Sequence, residues 1–181
     1  VDQLGKIGSF ITIMSDVMSF NDENILYLRD VRKIFEDFDN IPLKSIKYLI
    51  EQTKFDSNDG DFYGWRFIPV INAPGRLDQA NFLLNYVLNE DSLSDEELKK
   101  MSEEIILINE RRKELVKEYM ETAEENNTLM QNKHSSIIVD DIPSGIKGLI
   151  ASKIQRGDVA IVGSKNSDNI INCSVRSAYN I

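Results

Sequence analysis

The chain has 181 residues, 41% of them hydrophobic and 28% charged, proportions that fit a folded globular protein and exclude a disordered or fibrous one. A formal net charge of −9 argues against a broadly basic nucleic-acid-binding face, because phosphate binding replaces counterions with Lys and Arg. The lone cysteine, Cys173, excludes an internal disulfide framework, and no Cys or His lies near it in sequence to make a zinc site, so it reads as a small apolar filler.

Residues 4–14 are mostly apolar and read as a helix that breaks at Ser15-Asp16-Val17-Met18, which leaves Asp16 at the end of a buried element. The uncharged stretch Ile7 to Ser15 is too short to span a bilayer and lacks the basic flank of a signal peptide, so a soluble, cytoplasmic protein is expected. A second helix begins near Asn21 or Asp22 and carries Leu28, Val31 and Phe35 on one face, ending in the acidic stretch Glu36 to Asn40 and Pro42. A short helix over about residues 43–53 turns Ile46, Leu49 and Ile50 inward. The polar loop Asp56 to Asp61 is the best place for an insertion or hinge. The apolar run Phe62 to Ile71 leads into Asn72-Ala73-Pro74-Gly75-Arg76, whose Pro-Gly pair predicts a turn, and a helix over about 78–89 follows.

The clearest element is a long helix from about residue 95 to 126. It starts at the capping box Ser94-Asp95-Glu96-Glu97 and repeats Leu98, Met101, Ile105, Ile108, Leu115 and Tyr119 at three and four. Arg112 interrupts the apolar seam, and the repeat covers only about three heptads, which disfavours a coiled coil. After Asn132 the pattern alternates: Ser136 to Asp140, Asp158 to Gly163 and Ile170 to Arg176 read as strands, and Gly145 to Gln155 as a helix. The fold class is therefore α/β, a helical connecting region whose long helix leads into a small mixed α/β lobe. The segments divide as 1–38, 39–132 and 133–181.

Charge is uneven along the chain. Residues 133–181 carry six Lys and Arg against four Asp and Glu, a net of +2, whereas residues 1–132 carry 15 against 26, a net of −11. A phosphate grip belongs in the C-terminal lobe, with isolated arginines elsewhere. From the residues alone no catalytic set is complete. His134 reads as a surface or turn residue, and the Gly145/Gly148 pair before a helix serves an anion site and tight packing equally well.

Three patterns in a fixed order do carry a resemblance. Thr12-Ile13-Met14-Ser15-Asp16-Val17-Met18 is followed by Glu23-Asn24; Asn72-Ala73-Pro74-Gly75-Arg76 is followed by Asn109-Glu110-Arg111-Arg112; and the helix Gly145 to Lys153 and strand Asp158 to Gly163 precede Cys173-Ser174-Val175-Arg176-Ser177. Over nearly its whole length the chain resembles the RecJ-like single-strand-specific 5′ exonucleases of the DHH phosphoesterase superfamily. The resemblance makes residues 1–38 the end of a DHH domain with its connecting helix, 39–132 the helical part of the second lobe, and 133–181 a DHH-associated lobe. It implies single-stranded DNA as the substrate, a divalent manganese or magnesium cofactor, repair or recombination as the setting, and replication or repair proteins as partners.

By the same resemblance Asp16 is a catalytic metal ligand, and Asn72, Gly75, Arg76, Ser174, Arg176 and Ser177 bind the nucleic acid. Hard carboxylates suit the divalent ions that assist phosphodiester hydrolysis, and a guanidinium grips phosphate through two parallel hydrogen bonds. An oligoribonuclease or cyclic-dinucleotide phosphodiesterase of the same superfamily, or an inactive replication scaffold, are the alternatives. Pro74 and Ser15 stand where the family has alanine, and Cys173 where it has glycine, which points to a divergent or phage-type relative. The family's upstream Asp-x-Asp and Asp-His-His motifs and its downstream Gly-Gly-His are absent, so the chain is expected to be a piece cut at both ends and inactive alone.

Overall fold

A computed structural model describes residues 3–16, 18, 21–54 and 62–179. The loop Asp56 to Asp61, expected to be an insertion or hinge, lies outside the described residues. The chain forms two compact units, one of Val1–Pro74 with Gln79–Asn109, the other of Gly75–Asp78 with Glu110–Ile181.

The first unit is helical: α1 (Gln3–Ser15), α2 (Asp22–Glu36), α3 (Lys44–Gln52), a π-helical segment (Phe62–Phe67), α4 (Ile68–Arg76) up to Pro74, α5 (Ala80–Leu88) and the first part of α6 (Asp95–Glu125). Helix α2 starts where a polar side chain can satisfy a free amide, the Asn21 Oδ1 accepting from the Asn24 N–H at 2.8 Å. Helix α6 starts on the capping box read from the sequence. The Ser94 Oγ and N–H donate to Glu97 Oε2 at 2.7 and 2.8 Å, and these bonds hold the Glu97 carboxyl below its usual range. Phe10, Val31, Phe35, Leu49, Ile50, Phe62 and Phe67 are fully buried in one core. Phe35 meets Phe10 and Phe67 edge-on at 6.0 and 5.6 Å, contacts worth about 0.5–1.5 kcal/mol each beyond simple burial.

The segment Asn72 to Arg76 departs from the expected turn. It forms the last turns of α4, with Pro74 inside the helix, and the chain reverses only at Leu77-Asp78. Asp78 takes the left-handed conformation (φ 59°), and the Gln79 N–H donates to the Pro74 carbonyl at 2.8 Å, the C-terminal motif that glycine usually supplies. A proline inside a helix removes the i→i−4 hydrogen bond of its own position, so Pro74 weakens the last turns of α4, while the reversal itself falls at Leu77-Asp78.

The second unit is a four-stranded sheet, β1 (Leu129–Gln131), β2 (Ser135–Val139), β3 (Val159–Lys165) and β4 (Ile171–Ser177), in that order across the sheet. Strands β2 and β3 are parallel, joined through α7 (Ser144–Ile154), and the other pairs are antiparallel. Strand β1 was not expected from the sequence. Asn127 ends α6 in the left-handed conformation (φ 54°) and turns the chain into a three-residue strand. Val116 and Ala123 of α6, Ile146 and Ile150 of α7, and Ile138, Ala160 and Val162 of the sheet form this unit's core. Successive residues of β4 point to opposite faces, so Ser174 and Arg176 face α7 while Cys173 and Val175 lie on the other, exposed face. Cys173 is therefore no core filler; it belongs to an edge strand, its sulfur lying over Gly163. No helix among the described residues is long and apolar enough to cross a membrane.

Candidate nucleic-acid interface

Three arginines converge in the second unit. Arg76 stands at the last position of α4, Arg112 on α6 and Arg176 on β4. The Arg76 Nη1 donates to the carbonyl of Gly145 in the first turn of α7 at 3.2 Å. The backbones approach so closely there that a Cβ on Gly145 would overlap the Arg76 carbonyl oxygen, so this contact requires glycine. Arg176 crosses α7 one turn further on. Its Nε donates to Ser152 Oγ at 3.2 Å and its Nη1 to the Val175 carbonyl at 3.0 Å, and its Nη2 would lie 2.9 Å from a Cβ on Gly148. The Ser174 Oγ lies on the same face, 3.8 Å from that Cβ position. Gly145 thus makes room for the Arg76 backbone, and Gly148 for the Arg176 guanidinium, against one helix.

The electrostatics match this crowding. Burial, and then the charge of Arg176, lower the affinity of the Arg76 guanidinium for its proton. Burial, and then the charge of Arg76, do the same at Arg112, with Glu110 opposing. The Arg112 Nε is buried without a hydrogen-bond partner, and among the described residues none of the three arginines forms an ion pair. Arginine stays protonated in proteins, so the site holds convergent positive charge, with the Arg112 Nε an unfilled donor. Lys147, almost fully buried on α7, donates to the Asn172 carbonyl of β4 at 3.2 Å.

The remaining candidates fall elsewhere. Gly75 is exposed beside Arg76, with nothing near its Cβ position. Ser177 lies on the opposite face of β4 from Arg176, and its Oγ accepts from the Tyr179 N–H at 3.1 Å. Asn72 belongs to the first unit, where its Oδ1 accepts from the Ser15 Oγ at 3.1 Å; the serine that departs from the family pattern therefore anchors α4 to the end of α1. Asp16 is exposed in the turn after α1. Among the described residues no three His, Cys, Asp or Glu side chains cluster to hold a metal ion, so a divalent ion at Asp16 would need further ligands beyond them. His134 is exposed, its Nδ1 2.7 Å from Asp158 Oδ2 across the β2–β3 edge.

Arg112 and Ser152 were not singled out as site residues from the sequence. The interrupted seam of α6 was the signal for Arg112, since an arginine at an apolar position needs a reason to be there. Ser152 lies one turn after Gly148 in the helix Gly145 to Lys153, which is part of the pattern that carries the resemblance.

No protein-family model matches the chain. It is 26% identical over 155 residues to the single-stranded-DNA-specific exonuclease RecJ of Bacillus subtilis (strain 168), which covers 84% of this chain and 19% of that protein. Crystal structures of RecJ from Thermus thermophilus in complex with Mg2+ and with Mn2+ share its fold, with TM-scores of 0.75 and 0.76 at 19% and 18% identity. They cover 95% of this chain, which matches 26% and 25% of theirs. A crystal structure of exonuclease RecJ bound to manganese gives a TM-score of 0.72 at 18% identity, over 95% of this chain and 42% of that one. The fold is thus the mixed α/β arrangement shared with part of these RecJ structures. The chain is RecJ-like, and it spans about a fifth of the length of its curated relative.

Proposed function

We propose that this chain is the DNA-gripping part of a RecJ-like exonuclease that degrades single-stranded DNA from its 5′ end in repair or recombination. The reading is carried by the arginine trio: Arg76 and Arg176 lie against α7, the Arg112 charge acts on that of Arg76, and none of the three has an ion-pair partner among the described residues. Convergent guanidinium groups repel one another, and a phosphate that accepts from two or three of them replaces that repulsion with charge-assisted bonds. Such contacts fix the register of a strand and do not read its sequence. The Ser174 hydroxyl adds a neutral donor on the same face.

Hydrolysis in this reading depends on divalent manganese or magnesium, and Asp16 is one of the ligands. The described residues supply no second and third ligand, so no catalytic step is assigned to them. The test is made in a longer protein containing this chain together with the family's Asp-x-Asp and Asp-His-His motifs, on 5′-labelled single strands with manganese. Asp16→Ala should abolish cleavage while leaving thermal stability intact, and the 181-residue chain by itself should cleave nothing. Normal turnover by Asp16→Ala at saturating manganese would remove Asp16 from the metal site, and robust cleavage by the chain alone would overturn the assignment. Release of mononucleotides from long single-stranded DNA separates this activity from that of a phosphodiesterase restricted to very short or cyclic substrates.

A further inference from the structure

The π-helical segment Phe62–Phe67 leaves one aromatic side chain outside the core. Phe62 and Phe67 are fully buried, and their rings stack at 5.9 Å. Tyr63 stands edge-on to Phe10 of α1, with ring centroids 5.1 Å apart. Gly64 lies against the next turn of α1, where a Cβ on it would be 3.9 Å from the Met14 Cε. Trp65 follows directly and is 78% exposed. Its side chain makes no hydrogen bond or ring contact among the described residues. π-helical turns are rare and concentrate at functional sites, because the wider turn displaces side chains from the positions a regular helix would give them. Here the turn presents an indole to solvent although both flanking aromatic positions are anchored.

We propose that Trp65 is a stacking platform for a nucleobase of the bound single strand. The inference rests on the nucleic-acid reading above and adds to it the way a single strand is distinguished from a duplex. Phe10 and Met14, which anchor Tyr63 and Gly64, lie on the two turns of α1 that lead to Ser15 and Asp16. The exposed indole therefore belongs to the same end of the helical unit as the candidate ligand Asp16. A flat aromatic face accepts any base, since every base has a π-face, so stacking suits an enzyme that acts regardless of sequence. Only unstacked bases can reach such a face; in a duplex they are already stacked on their neighbours.

Trp65 is the only tryptophan in the chain, so its fluorescence reports this position alone. The 181-residue chain is titrated with a short oligothymidine, an abasic strand of equal length and phosphate number, and a duplex. Trp65→Ala and Trp65→Phe are titrated with the same ligands labelled at the 3′ end, and circular dichroism checks that both keep the wild-type fold. Oligothymidine should quench the indole emission to saturation, and the abasic strand and duplex should not. Trp65→Ala should bind oligothymidine about tenfold more weakly and the abasic strand as the wild type does, and Trp65→Phe should keep most of the affinity. Equal quenching by the abasic strand, or wild-type affinity of Trp65→Ala for oligothymidine, would overturn the stacking role while leaving the phosphate grip standing. A wild-type chain that binds none of the three ligands would overturn both.

Discussion

Arg76 and Gly145 touch through their backbones although 69 positions separate them: a Cβ on Gly145 would overlap the Arg76 carbonyl oxygen, and the Arg76 guanidinium donates back to the Gly145 carbonyl at 3.2 Å. The same helix carries Gly148, whose Cβ position is obstructed only by the end of the Arg176 side chain and, more loosely, the Ser174 hydroxyl. The two glycines should therefore respond differently to the same substitution. Gly145→Ala forces backbone apart and should cost about 1–3 kcal/mol, seen as a lower urea midpoint. Gly148→Ala gains helix propensity of up to about 1 kcal/mol and displaces only a movable guanidinium, so its stability should be equal or higher while its affinity for phosphorylated strands falls. Equal destabilisation by the two would contradict the packing described for α7.

Arg112 separates binding from stability in another way. Its Nε is buried without a partner, and burial and Arg76 both disfavour its charge. Arg112→Met keeps the stem that packs in the α6 seam and removes the charge. Its thermal midpoint should match or exceed that of the wild type, and its affinity for single strands should fall, with the slope of log affinity against log salt reduced by about 0.7. A midpoint several degrees lower, with the salt slope unchanged, would show that Arg112 stabilises the fold and holds no phosphate.

Tyr63 gives the helical unit a pH dependence at the alkaline end. Burial beneath Phe10, Phe35 and Phe62 pushes its hydroxyl from 10.0 up to about 12, with Arg32 opposing and Glu36 adding. The folded chain keeps the proton longer than the unfolded chain does. The associated stability is fully present below about pH 10 and is lost as the pH rises to about 12. Urea midpoints should drop over that window in the wild type and drop less in Tyr63→Phe. Parallel pH profiles for the two proteins would show that the hydroxyl is solvated.

Much of the fold was legible because the patterns that made it are local. The apolar spacing of α2, α3 and α6, the Ser94 capping box and the alternation in β2, β3 and β4 each reflect one element burying one face, and these elements formed within a residue or two of the expected bounds. The turn at Pro74-Gly75 was misplaced because proline and glycine also end helices, and the residue that reverses the chain is Asp78, which as a non-glycine in the left-handed region carries little signal. Arg76, Ser174 and Arg176 were named through a family likeness, and the structure brings these three to one face of α7. Ser177 belongs to the same motif, yet the pleat of β4 turns it to the other face. Cys173 was misread because composition does not reveal which strand lies at a sheet edge. Asp16 was legible only through its motif, since no cluster of metal-ligating side chains forms among the described residues.

The arginine grip is tested most directly by titrating the chain, its Arg176→Ala and its Arg176→Lys variants with one single-stranded oligonucleotide, with and without a 5′-phosphate. A charge-assisted bond to phosphate is worth roughly 1.5–3 kcal/mol, so Arg176→Ala should bind the phosphorylated strand on the order of tenfold to a hundredfold more weakly and lose its preference for the 5′-phosphate. Arg176→Lys should recover part of the affinity, because lysine keeps the charge and loses the fork. These losses should be the same for strands of different sequence. Wild-type affinity in Arg176→Ala with the 5′-phosphate preference preserved would contradict the role assigned to Arg176 and to the cluster around it.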